Sequence, residues 1–109
     1  MQVLRGFESH PLRMYYVYFL LLTNNDIYKG SCNDLKVRIK EHTEGKVAST
    51  KNFRPFQLIG YEAYFLKTDA TRREKFLKTT EGRRLLKQQY RDVLKQKGSS
   101  GHPTGRPVE

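Results

Sequence analysis

The first sustained pattern in the chain is the run YYVYFLLL at residues 15–22, almost wholly aromatic or aliphatic and followed by Thr23-Asn24-Asn25-Asp26. Such a run is short for a helix, its side chains suit a pleated surface, and Asn and Asp tolerate the positive φ of a tight turn. The pattern predicts a buried strand and a hairpin whose second strand covers residues 27–31. Asn33 or Asp34 can then cap a helix whose Leu35, Ile39 and His42 recur at i, i+4, i+7, and Gly45 ends it. A basic, Ser/Thr-bearing loop leads to Pro55, after which residues 56–63 alternate as a third strand with the proline at its start. Thr68 or Asp69 can cap a helix carrying Ala70, Arg73, Glu74 and Leu77 along one side. Thr80 can cap one more, with Leu85, Leu86, Tyr90, Val93 and Leu94. The order ββαβαα gives the α+β class: a small three-stranded antiparallel or mixed sheet flanked by helices. The pattern leaves strand order open.

Length and composition narrow this picture. A chain of 109 residues holds one domain, expected at residues 14–97. Residues 1–13 show no sustained period and read as an N-terminal leader. From residue 98 the sequence GSSGHPTGRPVE has almost no apolar side chain to offset its ordering entropy and reads as a disordered tail. The longest apolar run, residues 14–22, is far below the roughly 20 residues of a membrane span, and no signal-peptide pattern precedes it. With a single cysteine, Cys32, there is no disulfide framework, so a cytoplasmic location without membrane attachment is expected.

Charge changes the picture most. The chain has 21 Lys and Arg against 11 Asp and Glu, a net +10, and residues 67–97 carry eleven of the bases and four of the acids. That is the footprint of a polyanion binder, although a basic helical segment also serves as a solvated surface. No Walker-type loop, G-x-S-x-G elbow or H-E-x-x-H helix is present, which removes nucleotide hydrolysis and zinc proteolysis. Cys32 reads as a small buried hydrophobe and not as a nucleophile.

Five residues carry candidate chemistry. Tyr18 and Tyr28 lie on the paired strands, and turn length decides whether they share a face. A two-residue loop at Asn24-Asn25 puts Tyr28 opposite Leu21 and away from Tyr18. A three-residue loop at residues 24–26 puts it opposite Leu22, with both phenols on one face and able to meet a water or a phosphate. Arg38 and His42 stand one helical turn apart on one face, either a solvated surface or a guanidinium and an imidazole reaching one phosphate. Glu74, amid Thr71-Arg72-Arg73-Glu74-Lys75, is a surface salt-bridge partner or, if it faces the sheet, a carboxylate able to hold one Mg²⁺.

Together these residues resemble the GIY-YIG nuclease domain, in particular its small stand-alone members related to the excinuclease nuclease domain. Tyr16-Val17-Tyr18 stands where that family has Gly-Ile-Tyr, and Tyr28-Lys29-Gly30 stands where it has Tyr-Ile-Gly. Arg38 follows Gly30 at the family's spacing, His42 completes R-x-x-x-H, and Arg73-Glu74-Lys75 matches the helix of the metal-binding Glu. The loop Ser49-Thr50-Lys51 with Arg54-Pro55 fits as well. Three departures stand out: Tyr16 replaces the first Gly, Lys29 replaces the apolar middle residue of the second motif, and no Asn stands a turn or more beyond Glu74, where some members place a supporting residue.

The resemblance implies a metal-dependent DNA endonuclease, guided by DNA structure more than sequence and acting in repair or processing. Its site would be Tyr18, Tyr28, Arg38, His42 and Glu74. Glu74 would hold Mg²⁺ or Mn²⁺, Arg38 would stabilise phosphoryl charge, and a Tyr or His42 would help deprotonate the attacking water. Lys29, Lys51, Arg54, Arg72, Arg73, Lys78, Arg83 and Arg84 would contact the nucleic acid, and no small-molecule cofactor is implied. The alternative is a non-catalytic nucleic-acid-binding module on the same fold.

Overall fold

A computed structural model of the protein describes residues 13–98. It runs β1 (Tyr15–Leu21), β2 (Ile27–Cys32), α1 (Leu35–Thr43), a 3-10 turn (Lys51–Phe53), β3 (Gln57–Tyr64), α2 (Lys67–Leu77), α3 (Thr80–Gln89) and α4 (Arg91–Gly98). Gly98, the first residue of the expected tail, ends α4; the rest of that tail, and all but the last residue of the expected leader, lie outside the described residues. The strands form one antiparallel sheet in the order β2-β1-β3. The most apolar strand is therefore central, and β2 and β3 each leave one edge unpaired. The α+β class holds, and of the two sheet types the antiparallel one is found.

The hairpin differs from both expected loops. Leu20 pairs with Tyr28 and Leu21 with Ile27, so residues 22–26 form the connection. Leu22 N donates to Asp26 O at 2.9 Å, Asn25 N donates to Leu22 O at 3.0 Å, and Asn25 takes the positive φ of 72°. Leu22 therefore closes the turn against Asp26, with its side chain at 6% exposure in the same core layer as Tyr18 and Leu20. The parity nevertheless matches the three-residue case: Tyr18 pairs with Gly30, and Tyr18 and Tyr28 share a face with ring centroids 6.3 Å apart.

Each sheet face packs its own layer. On one, Val17, Phe19, Leu21 and Ile27 meet Ala70, Leu77 and Leu86, with Tyr90, Val93 and Leu94 around them. On the other, Tyr18, Leu20 and Leu22 meet Leu35 and Ile39 of α1 and the loop residues Phe53 and Phe56. At about 25 cal/mol per Å² of apolar surface removed from water, these two layers are the main favourable term in folding.

The helix ends also depart from expectation. The cap of α1 is Asp34, whose carboxylate accepts from Val37 N at 3.1 Å. Thr79, one residue before the expected Thr80, caps α3 by accepting from Gly82 N at 3.1 Å. Neither Thr68 nor Asp69 caps α2. It begins at Lys67 after Leu66 without a side-chain cap bond, and Asp69 instead pairs with Arg72 in the first turn. The single long final helix is two. Tyr90 breaks the helix (φ −105°, ψ 27°), its ring lying 5.7 Å from Phe19 and its hydroxyl over Gly60, where a Cβ would collide with it.

Candidate active site

Strand alternation divides the residues of β2 between the two layers. Tyr28, Gly30 and Cys32 face α1, while Ile27, Lys29 and Ser31 face α2 and α3.

On the α1 side a directed chain of hydrogen bonds runs inward from Arg38. Its Nε–H donates to the Tyr18 hydroxyl oxygen at 3.2 Å, and an Nη donates to Glu41 at 2.9 Å. The Tyr18 hydroxyl and His42 Nε2 are 2.8 Å apart, and His42 Nδ1 and Thr50 Oγ1 are also 2.8 Å apart. Tyr18, His42 and Thr50 are all fully buried. Burial, and then the positive field of Arg38, push the His42 imidazole below its ordinary value against the pull of Glu41. A neutral ring has one donor and one acceptor nitrogen. Burial likewise pushes the Tyr18 phenol up to about 12, with the Arg38 bond opposing, so at neutral pH it keeps its proton. Tyr18 therefore donates to His42 Nε2, and His42 Nδ1–H donates to Thr50.

Hydrogen bonds to Tyr18 and then to Glu41 hold Arg38 more firmly protonated than a free guanidinium. Tyr28 packs its ring against His42 at 5.2 Å, and no protein hydrogen bond ends on its hydroxyl among the described residues. Gly30 makes room for the arrangement, because a Cβ there would strike the Tyr18 hydroxyl and ring.

On the other side, Glu74 faces the sheet. Its Oε1 accepts from the Ser31 hydroxyl at 2.5 Å and its Oε2 from Lys78 Nζ at 2.8 Å. Burial by itself would raise the carboxyl, but the bonds from Lys78 and Ser31 and the positive fields of Lys78 and Arg38 hold it below the ordinary carboxylate range. The charge of Arg38, held by Tyr18 on the opposite sheet face, thus reaches Glu74. Beside Ser31 a cleft of about 280 Å³ opens toward Asn33, Lys67 and Thr71. Cys32 stands in its wall, and burial raises its thiol, which is consistent with a half-buried hydrophobe.

The single carboxylate suits a hard divalent cation. Mg²⁺ is commonly bound by one or two carboxylates, keeping several waters and taking substrate phosphates, so Glu74 and Ser31 fit it if Lys78 yields its place. No group of three or more His, Cys, Asp or Glu able to hold a metal gathers among the described residues, so Zn²⁺ has no cage there.

The expected nucleic-acid contacts divide. Arg73 makes a bidentate pair with Glu62, and Arg54 donates to the carbonyls of Lys51 and of Thr43, the last residue of α1. Both are committed to the fold. Arg72 and Arg84 make exposed pairs with Asp69 and Glu81, and Lys51 is exposed. Lys78 pairs with Glu74, and the charges of Lys78 and Arg83 both act on Lys29. Sequence reasoning misses the roles of Ser31, Glu41 and Thr50. Glu41 is detectable three residues after Arg38 on the same helix. Ser31 and Thr50 give no signal of their contacts, since each finds its partner only through tertiary packing.

A profile described as the GIY-YIG catalytic domain matches residues 14–90. A UPF0213 protein of Staphylococcus haemolyticus is 36% identical over 74 residues, covering 67% of this chain and 90% of its own. One from Bacillus velezensis is 38% identical over 78 residues, covering 70% and 76%. The solution NMR structure of a UPF0213 protein from Bacillus halodurans, 32% identical, covers 67% of this chain and 81% of its own at a TM-score of 0.45. In the described residues no helix is long and apolar enough to cross a membrane. The chain belongs to the GIY-YIG catalytic domain family, a family of nucleases.

Proposed function

We propose that the protein is a divalent-metal-dependent endonuclease that hydrolyses DNA phosphodiester bonds at the free edge of β2. The observation that carries the reading is the placing of two charged groups about β2: Glu74 is bonded to Ser31 of that strand on one sheet face, and Arg38, bonded to Tyr18 on the other, lies close enough for its charge to lower the Glu74 carboxyl. Glu74 is the residue that would hold Mg²⁺ or Mn²⁺, and a bound ion there supplies charge stabilisation for the phosphate and the leaving oxygen. Arg38, with Nε fixed by Tyr18 and one Nη by Glu41, turns its remaining Nη toward a phosphoryl oxygen. The Tyr28 hydroxyl, on which no protein hydrogen bond ends among the described residues, orients the attacking water.

Tyr18 and His42 are positioning residues in this scheme. Both are buried, Tyr18 keeps its proton, and the acceptor nitrogen of His42 is already filled by Tyr18. They hold Arg38 in place and do not take the proton of the water. Contacts of Lys and Arg with phosphates carry no base information, which supports recognition of DNA by structure.

A second reading has its own support. Both oxygens of Glu74 are occupied by protein donors, as they would be in a module that binds nucleic acid without cutting it. Incubation of supercoiled plasmid with the full chain in Mg²⁺, Mn²⁺ or EDTA separates the two. Nicking with either metal and none in EDTA supports the nuclease, whereas binding without any nicking supports the module.

A further inference from the structure

Lys29 is the position where this chain departs from its family's apolar residue, and its surroundings are unusual. It lies two residues from Ser31 on the same side of the edge strand, about 7 Å along it. The side chain is half-buried, and among the described residues its ammonium group has one hydrogen-bond partner, the Ile27 carbonyl at 3.1 Å. Facing it across a small polar hollow of about 150 Å³ are Arg83 and Lys87 of α3, with Asp26 at the rim. Arg83 and Lys87 are four apart, hence on one helix face. Neither forms a salt bridge among the described residues, although Arg72, Arg73, Lys78 and Arg84 each do. After burial, the charge of Arg83 is the largest influence lowering the Lys29 ammonium. Asp26 opposes it, and Lys78 and Lys87 add to it.

Three cations around one hollow repel one another, and a single carboxylate at the rim does not balance them. An anion seated between them does. Lys78 links the hollow to the site, since it is close enough to Lys29 to act on it and bonds Glu74 directly.

We propose that Lys29, Arg83 and Lys87 together hold one backbone phosphate of the bound nucleic acid, next along the strand to the phosphate at Glu74, so that the strand runs beside β2. The assignment rests on the nucleic-acid part of the function proposed above and adds a path for the substrate backbone. Lys87, exposed on α3, belongs to this contact and is not suggested by the family motifs.

The test is the salt dependence of binding for the full chain on a short fluorescein-labelled duplex of mixed sequence. Anisotropy is read in EDTA across roughly 50 to 200 mM salt, where each phosphate neutralised contributes about 0.9 to the slope of log affinity against log salt. Lys29→Met, Arg83→Gln and Lys87→Gln are each expected to reduce the slope by a part of one contact, because the remaining cations still neutralise some of the shared phosphate's charge. The double variant Lys29→Met/Arg83→Gln is expected to lose no more than about one contact, because the phosphate is shared. Thermal melts show whether Lys29→Met stays folded, and Lys87→Gln, on the exposed helix face, gives the same test without touching the core. Unchanged slopes in all three single variants overturn the proposal. A loss of about two contacts in the double variant overturns it too, because the residues then serve different phosphates. Wild-type chain that ignores the duplex removes the pocket together with the nucleic-acid reading. Wild-type chain that binds with these slopes but never nicks plasmid leaves the pocket standing and removes only the nuclease.

Discussion

Arg38 keeps only part of its guanidinium for a ligand, and what holds the rest is a buried chain ending at Thr50. Tyr18→Phe retains the ring and deletes one hydroxyl, which strips His42 Nε2 of its donor and Arg38 Nε of its acceptor. A buried polar group left unpaired costs about 1 to 3 kcal/mol. Denaturant unfolding of Tyr18→Phe should therefore show a loss in that range, and an unchanged midpoint would mean the chain carries no weight. His42 makes a separate prediction about pH. Its folded value lies below that of an unfolded histidine near about 6.5, so between the two values the unfolded state binds more protons. Stability from this group is complete above pH about 6.5 and is lost as pH falls below it toward the folded value. His42→Gln replaces the titrating ring with an amide, so its melting temperature should fall less than that of wild type between pH 7.5 and pH 5.5. Equal falls would contradict the assignment.

At the scale of elements, the pairing of β1 with β2 builds the site, and Gly30 is its tightest point. A Cβ at that position meets the Tyr18 ring, so Gly30→Ala forces the ring or the strand to shift. Overpacking of this kind costs typically about 1 to 3 kcal/mol, and here it also displaces the group that fixes Arg38. Gly30→Ala should thus lose both stability in urea and plasmid nicking, while an alanine variant with wild-type nicking would show that Tyr18 does not set Arg38. Much of this element-level order is legible in the sequence. The apolar run of β1, the 3.6-residue spacing of α1 and the alternation of β3 each follow from local pattern. The hairpin register is not legible, because Thr23, Asn24, Asn25 and Asp26 all suit a turn and only the bonds that Leu22 makes with Asn25 and Asp26 fix where it closes. Local pattern makes Tyr90 one more apolar position in a long helix, but its contact with Phe19 and its seat over Gly60 end the helix there. Arg73 and Arg54 look like surface cations in the sequence. Only the tertiary fold brings Glu62 and the end of α1 to them.

For the molecule as a whole, most of the charge excess lies in residues 67–97 while the candidate chemistry lies about β2, and α2 joins the two through Lys78 and Glu74. If affinity comes from phosphate contacts, it should fall steeply with salt. About six contacts correspond to a loss on the order of 10³ between roughly 50 and 200 mM salt. A flat response would rule out the basic surface as the DNA-holding face. Cutting should depend on groups that contribute little to this affinity. The decisive comparison is therefore nicking against binding for wild type, Glu74→Gln and Arg38→Gln on one supercoiled plasmid with Mg²⁺ or Mn²⁺. Metal-dependent nicking by wild type, slowed by about 10² or more in each variant while plasmid binding stays within severalfold, is the expected result. Nicking by either variant at the wild-type rate would contradict a single site formed by Arg38 and Glu74 about β2.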